Sequence, residues 1–157
     1  MKKLISALFI FATIANAATE KEIVESNRVF REGYQFMMVA EGTGFSMDGP
    51  SKEQIEAYGK AKERFEEAIR LHPENVQALV MLANVHWAYD EIDKTIELYS
   101  RAIAAQPTAD EVISARGGAY VYKRDFESAK KDQKRLEELG SEFAATLKNE
   151  IEREEKN

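Results

Sequence analysis

Residues 41–51 read EGTGFSMDGPS, and three glycines in one short polar stretch are a chain that can wrap a phosphate. That chemistry needs backbone N–H groups crowded round the anion, a lysine to reach its charge and a hydroxyl for magnesium. Here Gly49 is followed by Pro50 and Ser51, so the lysine is missing. A dinucleotide-binding turn needs a third glycine where Met47 stands. Metal ligation would most simply use histidine, but His72 and His86 are the only two, and no further ligands cluster with them. There is no cysteine, which excludes a thiolate nucleophile, a thiolate metal site and a disulfide framework. Ser46 has no His–Asp partnership in view, and neither does any other serine. Carboxylates are plentiful, as at Glu66, Glu67, Glu137 and Glu138. An acid–base pair, however, needs a cleft that drives two pKa values apart, and adjacent acids on amphipathic helices read as solvated faces. The chain therefore reads as a non-enzyme, with no cofactor and no metal.

Charge and composition narrow the partners. The 157 residues carry 28 acidic and 22 basic side chains, a formal net charge of −6. The one basic cluster, Lys130, Lys131, Lys134 and Arg135, is flanked by acids. Nucleic-acid binding needs a broad, concentrated basic face, so no nucleic-acid partner is expected. At the N-terminus, Lys2 and Lys3 precede an apolar run from Leu4 to Ala15, and Ala15-Asn16-Ala17 has the small-x-small form of a signal peptidase site. Residues 1–17 are thus expected to be a cleaved signal peptide. The mature chain would be periplasmic or secreted, with no membrane insertion after cleavage.

The elements follow from an internal repeat. Ala61, Phe65, Ala68 and Pro73 recur as Thr95, Tyr99, Ala102 and Pro107, each pair 34 residues apart. The same shift carries Leu79 to Ile113, Ala83 to Gly117 and His86 to Tyr120. Small residues let two helices approach, the aromatic fills the space beside them, and each proline stops the preceding helix. Asp90-Glu91 and Lys123-Arg124-Asp125 mark polar turns inside two hairpins.

On these residues the chain resembles the tetratricopeptide repeat (TPR) family, whose pattern is W-x2-L-G-x2-Y…A-x3-F…P. One full repeat reads Leu79-x2-Leu82-Ala83-x2-His86…Thr95-x3-Tyr99…Pro107. The next, Ile113-x2-Arg116-Gly117-x2-Tyr120…Ala129-x3-Gln133, lacks the late aromatic and the proline, as a terminal repeat can. An earlier one reads Val29-x2-Glu32-Gly33-x2-Phe36…Ala61-x3-Phe65…Pro73, its halves separated by roughly sixteen residues more than the family period. The resemblance covers about residues 22–140 of the chain. It implies an all-α fold, a right-handed helical-hairpin solenoid of about three TPR units, over residues 18–140, with a C-terminal capping helix and tail over 141–157. In the capping segment Phe143, Leu147 and Ile151 recur every fourth residue, so they share one face. The glycine-rich stretch falls within the excess as a longer turn, loop 42–50. Ser51 and Gln54 are placed to cap the helix after it as a capping box. Phe45 and Met47 could also form a flap beside a groove.

The family's usual role is to bind a peptide or protein, and its inner face is built from the first helix of each repeat. By that resemblance the partner-binding groove would hold Phe30, Tyr34, Met37 and Met38 from the first repeat. The second gives Val80, Asn84 and Trp87, and the third gives Gly118, Val121 and Tyr122. Aromatic and methionine side chains would make this surface apolar and adaptable. The same side chains could instead pack as core beneath the next hairpin. Chaperone-binding members clamp a C-terminal carboxylate with cations, but here Phe30, Glu111 and Ala115 stand at those places. The expected function is an exported interaction module that holds a peptide or helix of a partner. The alternative is a structural subunit of an envelope assembly that self-associates into a homo-oligomer.

Overall fold

A computed structural model describes residues 17–42 and 51–156, which form seven α-helices with no strand among them. In chain order these are α1 (Glu20–Gly42), α2 (Lys52–Leu71), α3 (Val76–Ala88), α4 (Ile92–Ala105), α5 (Asp110–Tyr122), α6 (Phe126–Glu138) and α7 (Phe143–Glu154). The leader expected over 1–17 lies, apart from Ala17, outside the described residues, as do Phe45, Ser46 and Met47 of the glycine-rich loop. No described helix is long and apolar enough to cross a membrane.

Local chemistry sets the helix ends. Thr19 and Glu22 open α1 reciprocally, the Thr19 N–H donating to Glu22 Oε2 at 2.8 Å and the Glu22 N–H to Thr19 Oγ1 at 3.3 Å. The expected capping box at α2 is present: the Gln54 N–H donates to Ser51 Oγ at 3.1 Å, and the Ser51 N–H to Gln54 Oε1 at 2.8 Å. Gln54 Nε2 also reaches the Ala40 carbonyl at 3.0 Å, which ties the two ends of the glycine-rich connection together. α2 and α4 stop directly before His72-Pro73 and Gln106-Pro107. Three further helix stops, those of α3, α5 and α6, share one device. At Asp90, Arg124 and Gly140 the backbone is left-handed, with φ of 59°, 61° and 67°. The residue after each donates back across the last turn, Glu91 to His86, Asp125 to Tyr120 and Ser141 to Leu136, at 2.9–3.0 Å. This is the six-to-one bond of a Schellman stop. Only the third is made with glycine.

Helices pair as three antiparallel hairpins, α1 with α2, α3 with α4 and α5 with α6, and each hairpin packs on the next. α7 lies against α5 and α6 as the first half of a further unit. The molecule is an all-α helical-repeat solenoid. Its core follows the repeat: Ala61, Ala68, Ala83, Ala102 and Ala129 are fully buried at the crossings, beside Phe65, Leu79, Ile113, Leu136 and Leu147. Two glycines permit the closest approaches. A Cβ on Gly33 would stand 2.8 Å from the Phe65 ring, and one on Gly117 would collide with Leu147. In α7 the buried stripe is Ala144, Leu147 and Ile151, while Phe143, expected on that face, sits at the helix start and is only half-buried.

Polar bonds fix what apolar contact leaves loose. Ser26 Oγ donates to the Ala68 carbonyl at 2.7 Å and accepts from Asn75 Nδ2 at 2.8 Å, while Asn75 Oδ1 caps α3 through the Ala78 N–H. One serine thereby locks α1 to α2 and to the start of α3. In the third hairpin the Arg116 guanidinium forms a two-point pair with Asp132, at 2.9 and 2.5 Å, and also donates to Ser100 Oγ. These positions lie 34 residues beyond Leu82 and Leu98, so an ion pair occupies the place of an apolar pair. The Asp132 hydrogen bonds hold the Arg116 guanidinium above its ordinary pKa.

Candidate partner-binding groove

The surface formed by the first helices, α1, α3 and α5, carries two hollows. One, of about 560 Å³, is lined by Phe30 and Tyr34 of α1, by Val76, Gln77 and Val80 of α3, and by residues 108–112 at the start of α5. The other, of about 580 Å³, is lined by Asn84 and Trp87 of α3, Tyr99 of α4, Ala115, Gly118 and Tyr122 of α5, and Arg124, with Glu150, Arg153 and Glu154 of α7 along its far side.

In the first hollow the Phe30 ring lies 5.8 Å from Phe65 and 6.2 Å from Tyr34. It thus forms a continuous aromatic step from the core to the surface. Tyr34 is exposed and Val80 half-buried.

The second hollow is held by its own hydrogen bonds. Trp87 and Tyr122 meet edge to face with ring centroids 5.1 Å apart. The Tyr122 hydroxyl donates to Asp90 Oδ1 at 2.9 Å, so the left-handed turn after α3 orients a ring of α5. Tyr99 donates its hydroxyl to Asn84 Oδ1 at 2.6 Å, which leaves the Asn84 amide nitrogen to an acceptor from outside. Burial pushes the Tyr99 phenol above its ordinary pKa, and the bond to Asp90 does the same for Tyr122. Both stay protonated donors at neutral pH. The indole of Trp87 remains 41% exposed in spite of its aromatic neighbour.

Of the eight side chains expected to form a groove, six line these hollows: Phe30, Tyr34 and Val80 in one, Asn84, Trp87 and Tyr122 in the other. Met38 is exposed on α1 but lines neither. Met37 offers no surface: it is 7% exposed and belongs to the core. The reason is periodicity, since Ser26, Val29, Gly33, Met37 and Ala40 form one buried stripe, at spacings of three and four, along the α1 face that meets α2.

Several lining residues went unmarked in the sequence. Tyr99 reads there as filler at the late aromatic position, and its hydroxyl is not legible from spacing. Glu150, Arg153 and Glu154 were hidden because α7 reads as a cap with a solvated outer face. Carrying the 34-residue register on to α7 would have shown that it supplies a wall.

The remaining chemistry is structural. His86 is buried, with Nδ1 paired to the Glu91 carboxylate. That bond, followed by Lys94, holds the Glu91 carboxyl below its ordinary pKa. His72 caps the end of α2 through its backbone N–H to Ala68. Among the described residues no three histidine or carboxylate side chains gather as metal ligands.

The Tetratricopeptide repeat family matches residues 56–118, from α2 to the middle of α5. No curated protein matches the chain. Among solved structures, a tetratricopeptide repeat protein from Parabacteroides merdae ATCC 43184 is similar, with 19% identity and a TM-score of 0.61 over 68% of this chain. The chain spans 42% of that protein's length. The first TPR of Spaghetti (RPAP3), bound to HSP90 peptide SRMEEVD, is similar over 90% of this chain and 98% of its own, with 17% identity and a TM-score of 0.65. The second TPR domain of the human RPAP3 protein, in complex with HSP70 peptide SGPTIEEVD, matches 76% of this chain and 98% of its own, at 18% identity and a TM-score of 0.56. The repeat match and these likenesses in fold support a tetratricopeptide repeat protein.

Proposed function

We propose that the chain is an exported protein-interaction module, which holds an extended peptide or a helix of a partner along the α1–α3–α5 face. The observation that carries this reading is the Trp87–Tyr122 pair. Two large rings stand exposed against each other in a hollow, braced by Asp90, where neither completes the core. Aromatic anchors of this kind supply most of the binding energy in protein interfaces. Asn84 adds a free amide donor suited to a partner's main-chain carbonyl. Support by analogy comes from the two RPAP3 domains, which carry peptides on a similar fold. The positions of Phe30, Glu111 and Ala115 offer no cations, so a carboxylate clamp is not part of the proposal.

A photocrosslinking amino acid placed at Tyr34 or Tyr122 of the full chain, in its native envelope fraction, tests the face. Crosslinks to one partner protein are expected from these positions and not from Lys62 or Lys131 on second helices. Crosslinks between two copies from Tyr122, together with a dimer by light scattering, would replace this reading with the self-associating one. Equal labelling from both faces would remove it.

A further inference from the structure

The second hollow has a charge that its own protein leaves unanswered. Glu150 of α7 is half-buried, and its Oε2 lies over Gly118, 3.9 Å from where a Cβ on that residue would be. Among the described residues no hydrogen-bond donor or cation pairs with it. Its neighbour Glu154 is matched by Arg153, Nε to Oε1 at 3.0 Å. The other cation of the lining, Arg124, is exposed at the rim, with its guanidinium over the Phe126 ring at 5.3 Å. An exposed rim charge is screened by water and salt, whereas a half-buried one is screened much less. The uncompensated charge on the far side of the hollow is therefore negative.

Beside that carboxylate stand the edge-to-face rings of Trp87 and Tyr122. A ring face attracts a cation through its quadrupole, most strongly for tryptophan. Ala115 and Gly118 line the same hollow and add small apolar surface, with Glu150 Oε2 over Gly118. A long side chain with an apolar stem and a charged end fits all three features at once. Resting on the groove reading above, we infer that this hollow takes a lysine or arginine side chain of the partner, with its stem on Ala115 and Gly118 and its charge between the Trp87–Tyr122 pair and Glu150. The formal net charge of −6 favours a basic segment by steering as well. The acidic peptides carried by the RPAP3 domains would bring like charge to Glu150.

The test is selection of displayed random twelve-residue peptides on the full chain, run in parallel on wild type and on Trp87→Ala shown by circular dichroism to be folded. Peptides enriched on wild type alone are expected to share one lysine or arginine position. A synthetic peptide of that set should bind about tenfold more weakly to Glu150→Gln, and norleucine in place of its basic residue should have the same effect. Selection on Glu150→Lys should turn the shared position acidic. Trp87-dependent peptides with no basic position, or with affinity unmoved by Glu150→Gln, would overturn the cation site and leave the groove standing. An absence of Trp87-dependent enrichment would overturn both.

Discussion

At Gly33 a methyl group would meet Phe65 Cε1 at 2.8 Å, Cδ1 at 2.9 Å and Arg64 Cβ at 3.0 Å. The ring is fully buried and also packed against Phe30, so it has little room to turn. Replacing a mid-helix glycine by alanine gains up to about 1 kcal/mol in helix propensity. Overpacking a rigid core costs about 1–3 kcal/mol. The second effect wins here, and Gly33→Ala is expected to destabilise by about 1–2 kcal/mol. Gly59 is the control: nothing lies within 4 Å of its added Cβ, so Gly59→Ala should raise stability by up to about 1 kcal/mol. Urea unfolding of both variants decides the matter, and equal shifts would show that space is not the cause. The small-residue requirement at Gly33 is legible in the sequence, because the family pattern places a glycine there. What is not legible is which rings stay outside. Trp87 and Met37 have equivalent positions in their repeats, yet one is exposed and the other is core. The difference comes from the longer α1, which continues its buried stripe past the usual helix end.

Within single helices and hairpins, the third hairpin replaces the Leu82 and Leu98 positions with Arg116 and Asp132, side chains 16% and 4% exposed. Removing one partner of a buried ion pair leaves the other uncompensated. Asp132→Ala is therefore expected to cost about 3–5 kcal/mol. The double substitution Arg116→Leu with Asp132→Leu restores the chemistry of the second hairpin and should recover most of that loss, since well-packed apolar pairs match or exceed buried ion pairs. A double variant as unstable as Asp132→Ala would mean that the Arg116 bond to Ser100, not the ion pair, holds the hairpin to its neighbour. The stop of α5 offers a second test. Arg124 adopts a left-handed backbone, which costs a non-glycine residue about 1–2 kcal/mol. Arg124→Gly should stabilise the chain by about 1 kcal/mol, seen as a higher denaturation midpoint. Asp90→Gly should gain less, because aspartate tolerates this conformation and its carboxylate braces Tyr122. The turns themselves were legible as polar breaks between periodic segments. Their handedness was not, because an arginine carries no signal for positive φ, and the Arg116–Asp132 pair was not, because its members sit at positions that the repeat makes apolar.

For the molecule as a whole, one period carries most of the architecture. The starts of α3 and α5, and of α4 and α6, lie 34 residues apart, which the Ala, aromatic and Pro spacing already implies. The period does not show that three walls meet at Trp87, since that depends on how α7 docks. The described fold opens with the Thr19–Glu22 capping box, two residues beyond Ala17. The proposed export predicts a mature N-terminus at Ala18, just before that box. Mass spectrometry of the envelope protein finding Met1 retained would overturn it. At the other end α7 buries Leu147 in the notch over Gly117 and Ile151 beside it, each to within 2% of full burial. Side chains of this size contribute about 1.5–3 kcal/mol each, a large part of the roughly 5–15 kcal/mol that holds a domain together. In a solenoid that loss falls on the neighbouring unit first, because stability is a sum of local and nearest-neighbour terms. Truncation after Gly140 should therefore lower the melting temperature sharply and expose apolar surface on α5 and α6. Hydrogen exchange should show the loss concentrated in those two helices, with α1 and α2 protected longest. Protection lost evenly across all helices would mean that the array unfolds as one unit. An unchanged melting temperature would mean that α7 does not cap the fold, and Glu150 would then lose its place as a wall of the groove.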